Sequence, residues 1–255
     1  MNQLKIDINC DMGESFGNYT IGNDEKVFPY ITSCNIACGF HGGDPLHIEK
    51  TIKGALAHGV QIGAHPSYPD LAGFGRRYMQ IKADELKAIV KYQVAALKGM
   101  TESLGGQLAY VKPHGALYNT AAKQKTEALA IIEAVQAIDS SLILMGLAGS
   151  PIEALAREIG IPFVAEAFAD RKYMSDGSLR SRTLDEAVIE DPKEATAQVL
   201  SIVLDQRVQT YEGSSLPLKA QSVCIHGDNR QVEALLQAID VGLTKAGVLK
   251  TAFSI

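Results

Sequence analysis

The chain has 255 residues, 46% of them apolar and only 9 of them proline, which is enough for one large core and leaves no stretch that reads as a linker. Its 24 basic and 29 acidic residues leave a formal charge of -5 dispersed along the sequence, a balance that argues against nucleic acid or an anionic membrane as partner. No run approaches the ~20 apolar residues of a membrane helix. Nothing in the opening residues reads as a secretory leader, and Cys10, Cys34, Cys38 and Cys224 lie at irregular separations, so a cytoplasmic chain with reduced thiols is expected.

The first strand is expected at Leu4 to Ile8, where Asp7 and Asn9 alternate with Ile6 and Ile8. That period of two puts Asp7, Asn9 and then Asp11 on one side and the isoleucines on the other. A second strand, Thr32 to Ala37, leads through Gly39, Gly42 and Gly43 into a helix over Pro45 to His58, with Asp44 as its cap and Gly59 at its end. The glycine turn suits either an anion at a helix start or plain packing.

The alternation continues with a strand over Val60 to Ala64, a helix over Ala83 to Met100 and a strand over Leu108 to Lys112. Next come a helix over Thr126 to Ala137, a strand over Leu142 to Gly146, a helix over Ile152 to Gly160 capped by Ser150, and a strand over Pro162 to Ala167. A helix over Lys193 to Gln209, a strand over Ser222 to His226 and a helix over Arg230 to Ala246 complete the pattern. Such alternation means parallel strands with crossover helices.

An open sheet concentrates its polar residues at one switch point, whereas here they follow nearly every strand. The expected fold is therefore α/β: a distorted seven-stranded parallel barrel, (β/α)7 and TIM-barrel-like, forming one catalytic domain over residues 1–255. Two long connections, Ser67 to Lys82 and Phe168 to Pro192, carry Arg76, Arg77 and Arg182 and have the length of lids or substrate clamps. The same arginines also read as solvated surface charge.

If the shared side of the strands faces the lumen, the mouth gathers Asp7, Asn9, Asp11, His65, Lys112, His114, Glu166, His226 and Asp228. A structural core does not tolerate so many ionisable groups unpaired. Asp7 also fits a purely structural hydrogen-bond network, and His47 and His58 read as helix-surface histidines. The set fits general-base activation of water with Lys112 stabilising charge on an attacked carbonyl. It also fits a divalent metal held by Asp11, His65 and His114. No Walker loop or dinucleotide fingerprint is present.

The segments DINCDMGESFG, SCNIACGFHGGD, IGAHPSYPD, GFGRR, VKPHGALYN, LAGS, AEAFADRKY and VCIHGDN occur in order along essentially the whole chain, and together they resemble the LamB/YcsF family. Bacterial members of that family include the A subunit of an ATP-dependent 5-oxoprolinase. The resemblance implies a barrel like those of glycoside hydrolases and sugar or polysaccharide deacetylases. It further implies ATP-coupled hydrolysis of 5-oxo-L-proline to L-glutamate, with ADP and phosphate as other products, magnesium accompanying the ATP, and 5-oxoprolinase subunits B and C as partners. In that setting Asp11 is expected as general base, with Asp7 and Asn9 orienting it or the substrate amide. Lys112 and His114 would contact the carbonyl or its phosphorylated oxygen, and His41 and His65 would donate hydrogen bonds or move protons. Arg76 or Arg77 would face the substrate carboxylate, with Glu166, His226 and Asp228 completing the walls. The same barrel would also suit a metal-dependent carbohydrate deacetylase, or a noncatalytic carbohydrate-binding module that lacks the need for such acid-base groups.

Overall fold

The computed structural model describes residues 3–254, so the first two residues and the last of the 1–255 span lie outside the description. In chain order the first six strands are β1 (Lys5–Met12), β2 (Ser33–Ala37), β3 (Gln61–His65), β4 (Leu108–Val111), β5 (Ile143–Leu147) and β6 (Phe163–Phe168). A short antiparallel hairpin, β7 (Arg207–Gln209) and β8 (Ser215–Pro217), precedes β9 (Ser222–Ile225) and the two-residue β10 (Leu249–Lys250).

The order β1-β2-β3-β4-β5-β6-β9 closes on itself because β1 pairs in parallel with both β2 and β9. Among the described residues this makes a seven-stranded parallel barrel, and β10 lengthens the sheet at the lower end of β1 through Lys5↔Leu249. The distortion is local: the register slips between Ile62 and Gly63, and β4 meets β5 through only Tyr110↔Ile143 and Val111↔Leu144. Gly63 is needed at that slip, because the ring of Tyr110 lies where a side chain would start, 2.2 Å from an added Cβ.

The crossover helices are α1 (Asp24–Val27), α2 (Pro45–His58), α3 (Ala83–Ser103), α4 (Gly115–Ala121), α5 (Lys125–Ile138), α6 (Pro151–Ile159), α7 (Pro192–Leu200) and α8 (Val232–Lys245). α2 shows how local sequence sets its limits. The Asp44 side chain accepts hydrogen bonds from the Leu46 and His47 amides at 2.9 and 3.1 Å, Pro45 starts the first turn, and Gly59 ends the helix at a left-handed φ of 66°. Its inner face is Ile48, Thr51, Ile52 and Ala55, the spacing of one helical stripe.

Three expectations differ from the structure. The helix expected over Lys193 to Gln209 stops at Leu200, passes through a π turn at Ser201–Asp205, and is reversed by Gln206, whose φ of 52° is left-handed. The residues after it pair as a hairpin, so local helix propensity loses to cross-strand bonding. Ser150 stands at the N-cap position of α6, but its hydroxyl donates back to the Leu147 carbonyl at 2.6 Å instead of capping. The short elements α1, α4 and β10 are additions to the expected pattern.

Alternate residues of β1 divide the molecule. Ile6, Ile8, Cys10 and Met12 pack outward into the main core between barrel and helices. Asp7, Asn9 and Asp11 turn into the lumen, each almost fully buried. The lumen is floored by a small apolar cluster of Tyr110, Met145, Val164 and Phe253, with the polar residues of β1 above it.

Candidate active site

The lumen is built in layers. In the lowest, Asp7 accepts hydrogen bonds from the hydroxyls of Thr32 and Ser33, both at 2.6 Å, and from Ser222, tying β1 to its neighbours β2 and β9. Burial pushes its carboxyl up to about 6 against those bonds. Asp7 therefore holds the barrel together from beneath and does not line the cavity.

Above it, Asn9 donates to Glu166 Oε1 at 3.0 Å and to Ser222 at 2.7 Å, and accepts from Asn35 at 2.7 Å. Lys112, the residue after β4, reaches into this layer with its ammonium 2.8 Å from Glu166 Oε1, 2.9 Å from Asp11 Oδ1 and 3.2 Å from Asn9 Oδ1. Burial alone would lower its proton affinity, but the carboxylates of Asp11 and Glu166 hold it well above the usual lysine range, and the Cys224 sulfur lies 3.1 Å away. It is a fixed positive charge at the base of the cavity.

Asp11 has the opposite balance. Burial would raise its carboxyl, yet the His65 ring at 3.4 Å and the Lys112 ammonium hold it well below the usual carboxylate range. Asn35 adds a hydrogen bond at 2.8 Å.

The histidines come from three loops at the C-terminal strand ends. His65 ends β3, His114 follows β4, and His41 is brought in by the turn after β2. That turn is a packing turn, not an anion cradle. The Gly43 amide bonds to the Glu14 carbonyl, and a Cβ on Gly42 would meet the same carbonyl at 2.8 Å. Its close approach places His41 Nε2 3.2 Å from Glu14 Oε1. Glu14 escapes the sequence pattern because the left-handed Gly13, at φ 69°, breaks the period of two after Asp11. Burial, reinforced by the Asp11 charge, pushes the Glu14 carboxyl well above its ordinary value.

A cavity of about 620 Å³ opens above this layer, within the usual range for small-molecule sites. Asp11, His65, Lys112, His114 and His226 line its inner end, and Arg76, Arg171, Arg180 and Arg182 line its outer wall. Three of those arginines come from the connection after β6, where Arg171 bridges to Val188 and Arg180 N donates to the Lys172 carbonyl. Asp228 stands at the rim, 2.6 Å from Arg76 and 3.5 Å from Arg182. Arg77 points elsewhere: it pairs with Asp70 and its side chain is 67% exposed. Of the two arginines expected to face a substrate anion, the structure brings only Arg76 to the cavity.

His226 is fixed by Asp170, which accepts from its Nδ1 at 2.8 Å and from Asn229 Nδ2 at 3.1 Å. Burial would raise Asp170, but His226 and Arg182 hold it down at about 2. A carboxyl lower in the folded than in the unfolded state stabilises the fold above its unfolded value near 4, and that stabilisation is lost as pH falls toward 2. Asp170→Asn should therefore cost about 2 kcal/mol at pH 7, with the gap to wild type closing between pH 4 and pH 2. Urea unfolding at a series of pH values measures it, and a gap that stays constant down to pH 2 would show the charge to be irrelevant.

Two groups of side chains have metal-ligand composition: Glu14, His41, His65 and His114, and separately Asp11, Cys224 and His226. In the second, the Lys112 ammonium already sits against both Asp11 and Cys224. For ATP, the outer wall offers arginines that fit phosphoryl oxygens.

A closed parallel β/α barrel with a buried lysine, paired carboxylates and histidines under a cavity at its C-terminal strand ends has the layout of a barrel enzyme. The chain belongs to the LamB/YcsF family, whose model matches residues 6–254. It is 49% identical over 245 residues to the 5-oxoprolinase A subunit of Acinetobacter baylyi, with 96% of each chain covered. The crystal structure of the lactam utilization protein from Thermus thermophilus superposes with a TM-score of 0.92 at 42% identity, covering 98% of this chain and 100% of that one. A family 4 carbohydrate esterase from Streptomyces lividans shares the fold alone, with a TM-score of 0.53 at 9% identity over 98% of this chain and 93% of the esterase.

Proposed function

We propose that this chain is the barrel subunit of a 5-oxoprolinase, hydrolysing 5-oxo-L-proline to L-glutamate with ATP as co-substrate. The observation that carries the reading is near-half identity over almost the full length of both chains with relatives bearing that name. The cavity supports it with chemistry suited to a small anionic lactam. Arg76 and Arg182 at the outer wall pair with the substrate carboxylate, and Lys112 at the inner end meets the lactam carbonyl or its phosphorylated oxygen.

An unactivated amide resists water, and transfer of a phosphoryl group from ATP to the carbonyl oxygen makes its carbon electrophilic. Asp11 orients the attacking water and takes its proton. His114 and His226 shape the same end of the cavity, with the His41 ring stacked on His114, while Asn9 and Glu166 hold Lys112 in place from below. The ring nitrogen leaves with a proton, and a second water releases phosphate.

ATP and its magnesium enter the reading through the arginine wall, and subunits B and C as the partners that complete the enzyme. No described helix is long and apolar enough to cross a membrane, and we place the reaction in the cytoplasm. The test is ATP-dependent glutamate formation from 5-oxo-L-proline by this chain, by its two partner subunits, and by all three together. Glutamate only from the complete mixture is the expected result. No conversion by the folded, assembled mixture would turn the reading toward another amide or an N-acetyl sugar.

A further inference from the structure

The rings of His65 and His114 pose a problem in hydrogen bonding. His65 Nδ1 lies 2.7 Å from the carbonyl oxygen of Lys112, and His114 Nε2 lies 2.9 Å from that of Phe74. A carbonyl oxygen carries no proton, so each ring must donate at that nitrogen. In neutral imidazoles the nitrogens left over, His65 Nε2 and His114 Nδ1, are bare lone pairs, and they face each other at 3.0 Å. Two lone pairs at that distance repel unless something positive lies with them.

Two further groups converge on the same place. Glu14 Oε1 is 3.7 Å from His114 Nδ1 and 3.2 Å from His41 Nε2. The His41 ring stacks on His114 with centroids 3.7 Å apart, and its Nδ1 is buried without a partner. One donor atom from each of the four side chains lies within 4.8 Å of the other three. An ion with bonds of about 2.0–2.1 Å in tetrahedral geometry sets its ligand atoms roughly 3.3 Å apart, so modest closure, with His41 tilting out of its stack, completes the shell.

We infer that Glu14, His41, His65 and His114 form a binding site for a divalent transition-metal ion at the barrel mouth. The imidazole-rich donor set selects zinc, cobalt or a similar borderline ion over the magnesium that accompanies ATP. Backbone carbonyls that fix the remote nitrogens of His65 and His114 are the outer support that imidazole ligands ordinarily have. The charges agree: Asp11 and Glu166 are buried on the single ammonium of Lys112, which leaves one negative charge in excess, and a divalent ion would also hold the buried Glu14 carboxylate ionised. Because His65 and His114 line the cavity, the ion lies at its wall, where it can add a fifth ligand from whatever is bound there. The site stands apart from the identity of the substrate, since the lone pairs need a cation whichever amide the cavity takes.

The experiment is metal uptake by the full chain after chelator treatment, with zinc titrated against a chromophoric competitor and cobalt followed by its visible absorption. About one equivalent of either ion should bind. Uptake should fall at least about a hundredfold in His65→Gln and in His114→Gln, more than loss of an outer-shell partner costs, with circular dichroism showing each variant folded. His47→Gln, on the surface of α2, should bind as wild type, and His226→Gln should also bind, which separates this site from the Asp11, Cys224 and His226 group. Failure of the folded wild type to take up either ion would overturn the inference and leave a shared proton between the rings. Undiminished binding in both His65→Gln and His114→Gln would overturn it equally, as would loss of binding in His226→Gln alone.

Discussion

Lys112→Met should destabilise the protein by about 3–5 kcal/mol, the range for a buried ion pair that loses one partner. Methionine matches the lysine stem in length and packs as well, so the loss isolates the ammonium. Asp11 and Glu166, at 2.9 and 2.8 Å from it, would both remain in the lumen without their counter-charge. Denaturant unfolding at pH 7 measures the effect. Adding Glu166→Gln to the lysine variant should recover part of the loss, because one stranded charge is then gone; a double variant no more stable than the single would show that Glu166 is not part of the balance. Turnover should fall about a hundredfold or more in either case, since the positive group at the carbonyl is missing. An unchanged unfolding midpoint in Lys112→Met would mean that the ammonium is not what makes the polar lumen tolerable.

The lumen also explains why so much of the site is legible along the chain. Other barrels fill this space with branched apolar side chains. Here Asp7, Asn9 and Asp11 stand at every second position of a strand whose other positions are Ile6, Ile8 and Cys10, and a period of two with such contrast has only one placement. Lys112, His114, His65 and His226 lie at or just beyond the ends of three strands, so their arrival at one mouth follows from the barrel itself. The arrangement of α2 between Asp44 and Gly59 is equally local.

What is not legible depends on groups far apart in sequence. Glu14 comes within reach only because Gly13 turns the chain and Gly42 and Gly43 let the next loop lie against it. Arg182 reads as clamp or as surface charge, and Arg171 and Arg180 carry no signal of their own, until the connection after β6 folds over the mouth, held by backbone bonds such as Ile189 N to the Asp170 carbonyl. Asp170 itself looks like one more loop acid, and its part in fixing His226 is a contact across 56 positions. The end of α7 turns on Gln206, a residue with no local signal for a left-handed conformation.

Asp11→Asn should separate chemistry from stability in a way that Lys112→Met cannot. The amide oxygen of asparagine can still accept from Lys112 and Asn35, and Lys112 keeps Glu166 as its counter-ion. The fold should therefore survive with a smaller loss than in the lysine variant. What disappears is the carboxylate that takes the proton from water, 3.4 Å from His65. If Asp11 removes the proton from water, kcat should drop on the order of 10²–10⁴-fold. KM for 5-oxo-L-proline should stay near wild type, because the arginine wall that meets the substrate carboxylate is untouched. Steady-state kinetics of the assembled enzyme, read beside an unfolding curve for the same variant, makes the comparison. A folded Asp11→Asn protein with near-normal kcat would take Asp11 out of the reaction and leave it a purely structural partner of Lys112. A rise in KM at unchanged kcat would instead assign it to substrate binding.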